Sequence, residues 1–189
     1  MANSQYLENQ FLIAMPQLID SYFANTLTYL WKHNSEGALG IVINKPLTAC
    51  MADIFYELNI GCTADDGPFR DELVLAGGPV ERDKGFILHD SETKWESSID
   101  ITSKIKICTS KAILQDIAVG AGPDNYLVAL GCAGWDAGQL EKEIISNAWL
   151  TAPADPELIF SKDFTEKASE AAALLGIDLH RISPRAGHS

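Results

Sequence analysis

Two runs rich in β-branched and aromatic residues, "TLTYLWKH" at 26–33 and "ALGIVIN" at 38–44, flank the polar tetrapeptide "NSEG". A polar turn ending in glycine between two such runs predicts an antiparallel hairpin, and with it a sheet. Pro46 ends the second run. "FLIAM" at 11–15 reads as a short buried strand stopped by Pro16. "LVLA" and "GFILH" read as strands around "GGPVERDK", "IDITSKIKIC" as one long strand or two short ones, and "YLVALG" as another.

Helical spacing appears in fewer places. From about Thr48, Met51, Ile54, Phe55 and Leu58 recur at that period, with Gly61 as the stop. Ser110 can cap a helix that buries Ile113, Leu114 and Ile117 and ends near Gly120. A last amphipathic helix carries Phe164, Ala168, Ala171, Ala172 and Leu175, with Gly176 at its end. "GCTADDGPFRDE" at 61–72 is polar and rich in breakers, hence a surface loop. Strands that outnumber helices, some joined as hairpins and some separated by helices, predict a mixed α/β or α+β domain with a mixed sheet. At 189 residues the expectation is one domain over 1–189, with room for an inserted smaller α/β lobe around 48–110.

The densest segment is "GCAGWDAGQLEKEIISNAWL" at 131–150. With Asp136 as N-cap, Gln139 falls at N3 in an Asp/Gln capping box, and Trp135 and Leu140 take the two positions of a hydrophobic staple. Glu141 and Glu143 complement the helix dipole. Leu140, Ile144 and Ala148, widened by Ile145 and Trp149, make a core-facing stripe that ends before Pro153. An anion cradle at the helix start is the competing reading. Gly131, Gly134 and Gly138 match neither a dinucleotide fingerprint nor a P-loop, so a structural turn is favoured. Cys132 could be a nucleophile at this turn, activated by the helix start and a neighbouring imidazole such as His89. Gly131 stands immediately beside it, against the spacing of a nucleophile elbow.

The formal net charge of −12 repels phosphate backbones, and no basic run reverses it. Lys104, Lys106 and Lys111 are the densest basic group, and the first two read as one face of a strand. Direct nucleic-acid binding is therefore disfavoured. Four cysteines without a CxxC pair or a Cys/His grouping read as reduced thiols, and no metal site or cofactor is expected. "MANSQYLENQFLIAMP" lacks a basic leader, and no stretch approaches the ~20 apolar residues of a bilayer span. A cytoplasmic protein without membrane contact is the expectation.

Taken in order, "FLIAMPQLIDSYF", "HNSEGALGIVINKP", "LAGGPVERDKGFILH", "GCAGWDAGQLEKEI" with "NAWL", "PADPELIF", "LLGIDL" and the terminal "GHS" resemble the YqgE/AlgH family of bacterial proteins over nearly the whole chain. Departures from its pattern fall at Lys45, Ser21, Ser189 and Cys132, and the last weighs against a family-wide thiol nucleophile. The resemblance implies an α/β protein whose mixed, bifurcated β-sheet closes into a pseudo-barrel with flanking helices. It implies no established reaction, and its transcriptional-regulator label derives from an association with alginate production.

Among the matching residues, the candidates for a ligand or partner site are Asn44, Lys45 and Pro46 at one strand end, and Gly77, Gly78 and Pro79 at a close backbone approach. His89 and the turn at Gly134 and Trp135 complete the set. Convergence of these strand ends would outline a cleft. With no coherent catalytic set, the leading reading is a non-catalytic module binding an unknown small molecule or protein in a regulatory role. The alternatives are a hydrolase-like enzyme using His89 with a carboxylate or Cys132, and a DNA-dependent regulator.

Overall fold

The computed structural model describes residues 6–18, 21–62 and 67–182. The start of the amino-terminal stretch, residues 63–66 of the expected loop, and the terminal "GHS" with Ser189 lie outside the described residues. In chain order the strands are β1 (Gln10–Ala14), β2 (Leu27–Asn34), β3 (Gly37–Val42), β4 (Pro46–Cys50), β5 (Leu73–Ala76), β6 (Val80–His89), β7 (Ile99–Asp100), β8 (Lys106–Cys108), β9 (Tyr126–Asp136) and β10 (Trp149–Pro153). The helices are α1 (Met51–Glu57), α2 (Gly67–Arg70), α3 (Lys111–Ala118), α4 (Gln139–Ile145), α5 (Pro156–Phe160) and α6 (Lys167–Ala173). The chain is mixed α/β.

It divides into two compact units, Met1–Asn44 with Ala133–Ser189, and Lys45–Cys132. The second is inserted in the sequence of the first and is wider than the span 48–110.

In the first unit, β10, β1, β2 and β3 form an antiparallel ladder that ends on the last residues of β9. The hairpin forms as its sequence dictates, with Asn34 opposite Gly37. Gly37 has φ +138°, and a Cβ there would run into the Trp135 carbonyl, so only glycine fits. The core on this side gathers Leu12, Leu30, Ala133, Trp135, Leu140 and Trp149.

In the second unit, β7 pairs with β8, β8 with β6 and β6 with the first part of β9, each pair antiparallel, while β5 lies parallel to β9 and pairs with β4. The sheet is therefore mixed, and it forks along β9, which pairs with β5 and β6 up to Cys132 and with β3 from Ala133 onward. Its core joins Met51 and Phe55 of α1, Ile113, Leu114 and Ile117 of α3, and Ile87 and Val128 of the sheet. Ser110 caps α3 by accepting from the Ala112 amide at 3.2 Å.

Several sequence expectations give way to strand pairing. Helix α1 starts at Met51 instead of Thr48, because Pro46–Cys50 is extended against β5. "ERDK" belongs to β6 instead of a connection, Lys104 lies outside any strand, and Lys106 is buried in β8. "GCAGWD" is strand, not turn: β3 holds Asp136 in register with Gly37. Asp136 therefore cannot cap the helix, which begins after Gly138 in a left-handed conformation, with Gln139 as its first residue. The back-reaching arm survives, since Gln139 Oε1 accepts from the Asp136 amide at 2.9 Å. Helix α4 stops at Ile145, with Asn147 at φ +61°. Ile145 is consequently 81% exposed instead of core-facing. Trp149 opens β10, because the five residues to Pro153 pair with β1. Phe164 precedes α6 instead of lying on it, and Leu175 follows it, partly exposed.

Candidate functional site

Asn44, Gly134 and Trp135 lie in the first unit. The Asn44 amide is used at both ends, accepting from the Leu27 amide at 2.8 Å and donating to the Asn25 carbonyl at 3.0 Å. Gly134 is exposed and pairs with Leu39. Trp135 borders a small cavity of about 160 Å³ beside the hairpin residues Lys32, Asn34 and Glu36. Its indole nonetheless has a structural partner. Nε1 donates to Glu143 Oε2 at 2.9 Å, and Trp149 Nε1 donates to the same oxygen at 2.8 Å. Gln139 Nε2 occupies Oε1 at 2.9 Å, and Phe23 packs on both indoles. One carboxylate thus ties two tryptophans and the first turn of α4 together.

Lys45, Pro46, Gly77, Gly78, Pro79, His89 and Cys132 lie in the second unit. The Lys45 carbonyl accepts from the Ala76 amide, and the Gly77 amide donates to the Leu130 carbonyl, both at 2.8 Å. Pro46 pairs with Leu75, and Pro79 is exposed beside the buried Gly77 and Gly78. Gly131 sits mid-strand at φ +78°, where a Cβ would lie 2.5 Å from the Gly78 carbonyl oxygen and 3.3 Å from Arg82 Cα. These glycines let three backbones meet where a side chain would keep them apart.

His89 does not join them. It pairs with Tyr126, whereas Gly77 meets Leu130, four residues along β9 and so roughly 13 Å away. His89 is fully buried edge-on against Trp95, and neither ring nitrogen has a hydrogen-bond partner among the described residues. Burial, then the Lys106 charge, holds its pKa below the ordinary imidazole value. Cys132 is six residues from Tyr126 along β9, roughly 20 Å, so the imidazole–thiol pair considered from sequence is not formed. The buried Cys132 thiol is pushed up, by desolvation first and the Glu81 charge second, away from the reactive thiolate.

The larger feature of this unit lies beside Arg82. Between Val80 and Gly85, β6 takes five steps while β9 takes two, from Cys132 to Leu130. The surplus residues bulge outward and bring Arg82, Asp83 and Lys84 to the rim of a cavity of about 510 Å³. Ile54, Ile87, Leu114, Val128 and Leu130 form its apolar floor, and the starts of α3 and the end of α1 its walls. Lys111 Nζ donates to the Leu58 carbonyl at 2.6 Å, closing one side. A Cβ at Gly85 would meet nothing within 4 Å, so that glycine keeps the cavity open. The volume lies within the ~300–1,000 Å³ usual for small-molecule sites.

Sequence reasoning passed over Arg82, Gly85 and Ser110 as site residues. The one available signal was "ERDK", four charged residues between an apolar strand and "GG", which reads as an ordinary connection until the register is known.

The AlgH-like family model matches residues 11–180. The chain belongs to the AlgH-like family. A UPF0301 protein of Hahella chejuensis is 50% identical over 183 residues, covering 97% of this chain and 96% of its own length. A UPF0301 protein of Pseudomonas putida is 45% identical over 187 residues, with 97% and 96% covered. The solution structure of the AlgH protein from Pseudomonas aeruginosa superposes with a TM-score of 0.81 at 41% identity, over 100% of this chain and 99% of that one. Protein DIP2367 from Corynebacterium diphtheriae shares the fold at a TM-score of 0.69 and 16% identity, over 90% and 87%. These AlgH-like names specify no reaction. Among the described residues no helix is long and apolar enough to cross a membrane, and no group of three or more His, Cys, Asp or Glu could hold a metal ion.

Proposed function

We propose that the chain is a non-catalytic, regulatory module that binds a small molecule in the cavity beside Arg82. The observation that carries this reading is the cavity itself: about 510 Å³, apolar at its floor, charged at its rim, and with neither histidine nor cysteine among its lining residues. An acyl- or group-transfer site needs a nucleophile within hydrogen-bond reach of a base. The two groups considered for that role, His89 and Cys132, are buried and far apart along β9.

Of the residues singled out from sequence, Gly77 and Gly78 support the site indirectly, through the backbone crossing at Gly131 that neighbours Arg82. Asn44 and Trp135 spend their polar atoms on the fold. Four free cysteines suit a reducing cytoplasm. A net charge of −12 favours regulation through a ligand or a protein over direct contact with DNA.

Gly85→Leu tests this directly, because the new side chain enters the cavity without meeting backbone. In a thermal-shift screen of metabolites, compounds that raise the melting temperature of the native chain should leave Gly85→Leu unmoved. A stabilisation of 1 kcal/mol corresponds to about 2–4 °C for a chain of this size. Equal shifts in both proteins would place binding elsewhere, and an unresponsive native chain would defeat the binding reading.

A further inference from the structure

We propose that the ligand is a small anionic amphiphile, its carboxylate seated at Arg82 and its hydrocarbon tail laid along the floor of the cavity. This inference rests on the cavity being a binding site. Three cations and two carboxylates, Glu57 and Asp83, line the rim, a local excess of positive charge on a chain of net charge −12.

The cations are not equivalent. Lys111 is committed to the Leu58 carbonyl. Lys84 lies 3.6 Å from Glu81 and over the Phe86 ring. Arg82 has no hydrogen-bond or ion-pair partner among the described residues, and the bulge that carries it begins at Glu81, a non-glycine residue at φ +48°. An arginine on the lining of an apolar cavity, without an anion of its own, suits a carboxylate, since the planar fork matches that group bidentately.

Ser110, also on the lining, adds to the preference: its oxygen accepts from the Ala112 amide, which leaves its hydroxyl hydrogen free to donate. The start of the eight-residue α3 contributes its positive end at the same place. Ile54, Leu114 and Leu130 supply the floor, where each added methylene that is buried should tighten binding by up to about fourfold.

Calorimetric titration of the full chain with octanoate, octanol and octylamine tests the assignment. Octanoate should bind about tenfold tighter than octanol, and octylamine weakest. Arg82→Gln, at an exposed position, should bring octanoate down to the affinity of octanol and leave octanol unchanged. Gly85→Leu should abolish all binding. If octanol matches octanoate, or if Arg82→Gln keeps the preference, the anion assignment is wrong while the cavity remains a site. If no probe binds the native chain, or if Gly85→Leu binds as the native chain does, the cavity reading falls as well.

Discussion

Glu143 in the first unit and Arg82 in the second are both charged groups set beside apolar surface, and their surroundings differ in kind. Glu143 receives two indole N–H groups and an amide, so its oxygens are filled by the protein. Arg82 is held over a 510 Å³ cavity with no anion of its own among the described residues. Satisfied polar groups in a packed cluster contribute to one specified fold, whereas an unsatisfied charge facing open space is free to contribute to recognition. His89 shows that missing partners alone do not make a site: its nitrogens are orphaned, yet the ring is sealed against Trp95.

The largest expected effect breaks the satisfied side of this contrast. Glu143→Ala leaves two buried indole donors without their charged acceptor and should destabilise the protein by about 4 kcal/mol in urea unfolding. Retained stability would mean that the knot is ornamental. Next, Gly131→Ala forces a Cβ against the Gly78 carbonyl at a left-handed φ. A loss of about 3 kcal/mol, with weakened octanoate binding, would tie the backbone crossing to the placement of Arg82.

Lys167 sharpens the comparison from within the first unit. It is wholly buried, donates to the Ile159 carbonyl at 2.7 Å, and has its pKa lowered to about 7, chiefly by desolvation. Because the unfolded chain keeps this proton up to about pH 10.5, stability should rise with pH between about 7 and 10.5. The slope should be at most about 1.4 kcal/mol per pH unit. Lys167→Met should flatten that slope and gain about 2 kcal/mol at pH 7, after the cost of an unpaired carbonyl. Denaturation across that pH range measures both.

The smallest effect belongs to His89. Its folded pKa lies below the unfolded value of 6.5, so stability present above that pH should decline as the solution is acidified through it. His89→Phe should remove this acid sensitivity and raise stability by about 1 kcal/mol. A loss of stability instead would point to a partner for the ring, such as an ordered water.

Elements whose signal is local were legible from residues alone. The 26–44 hairpin follows from its turn and its β-rich flanks, and α3 from the Ser110 cap and an apolar stripe. Elements decided by a distant strand were misread. Asp136 has the chemistry of a cap but is held in β9 by β3, and Trp149 fits a helical stripe but is claimed by β1. The same holds for the candidate site. Gly77 and Gly78 were recognisable as a close backbone approach, while Arg82 becomes a candidate only through a register shift between β6 and β9.

Sequence by itself determined that this is a mixed α/β protein with a formal net charge of −12, because composition, period and turn chemistry act within a few residues or over the whole chain. Its family membership, too, was legible in the ordered motifs. Tertiary structure alone decided that the two indoles share one carboxylate, that His89 is enclosed, and that Arg82 faces a cavity. Those outcomes depend on which strands pair and in what register, and a one-residue difference in register turns every side chain to the opposite face.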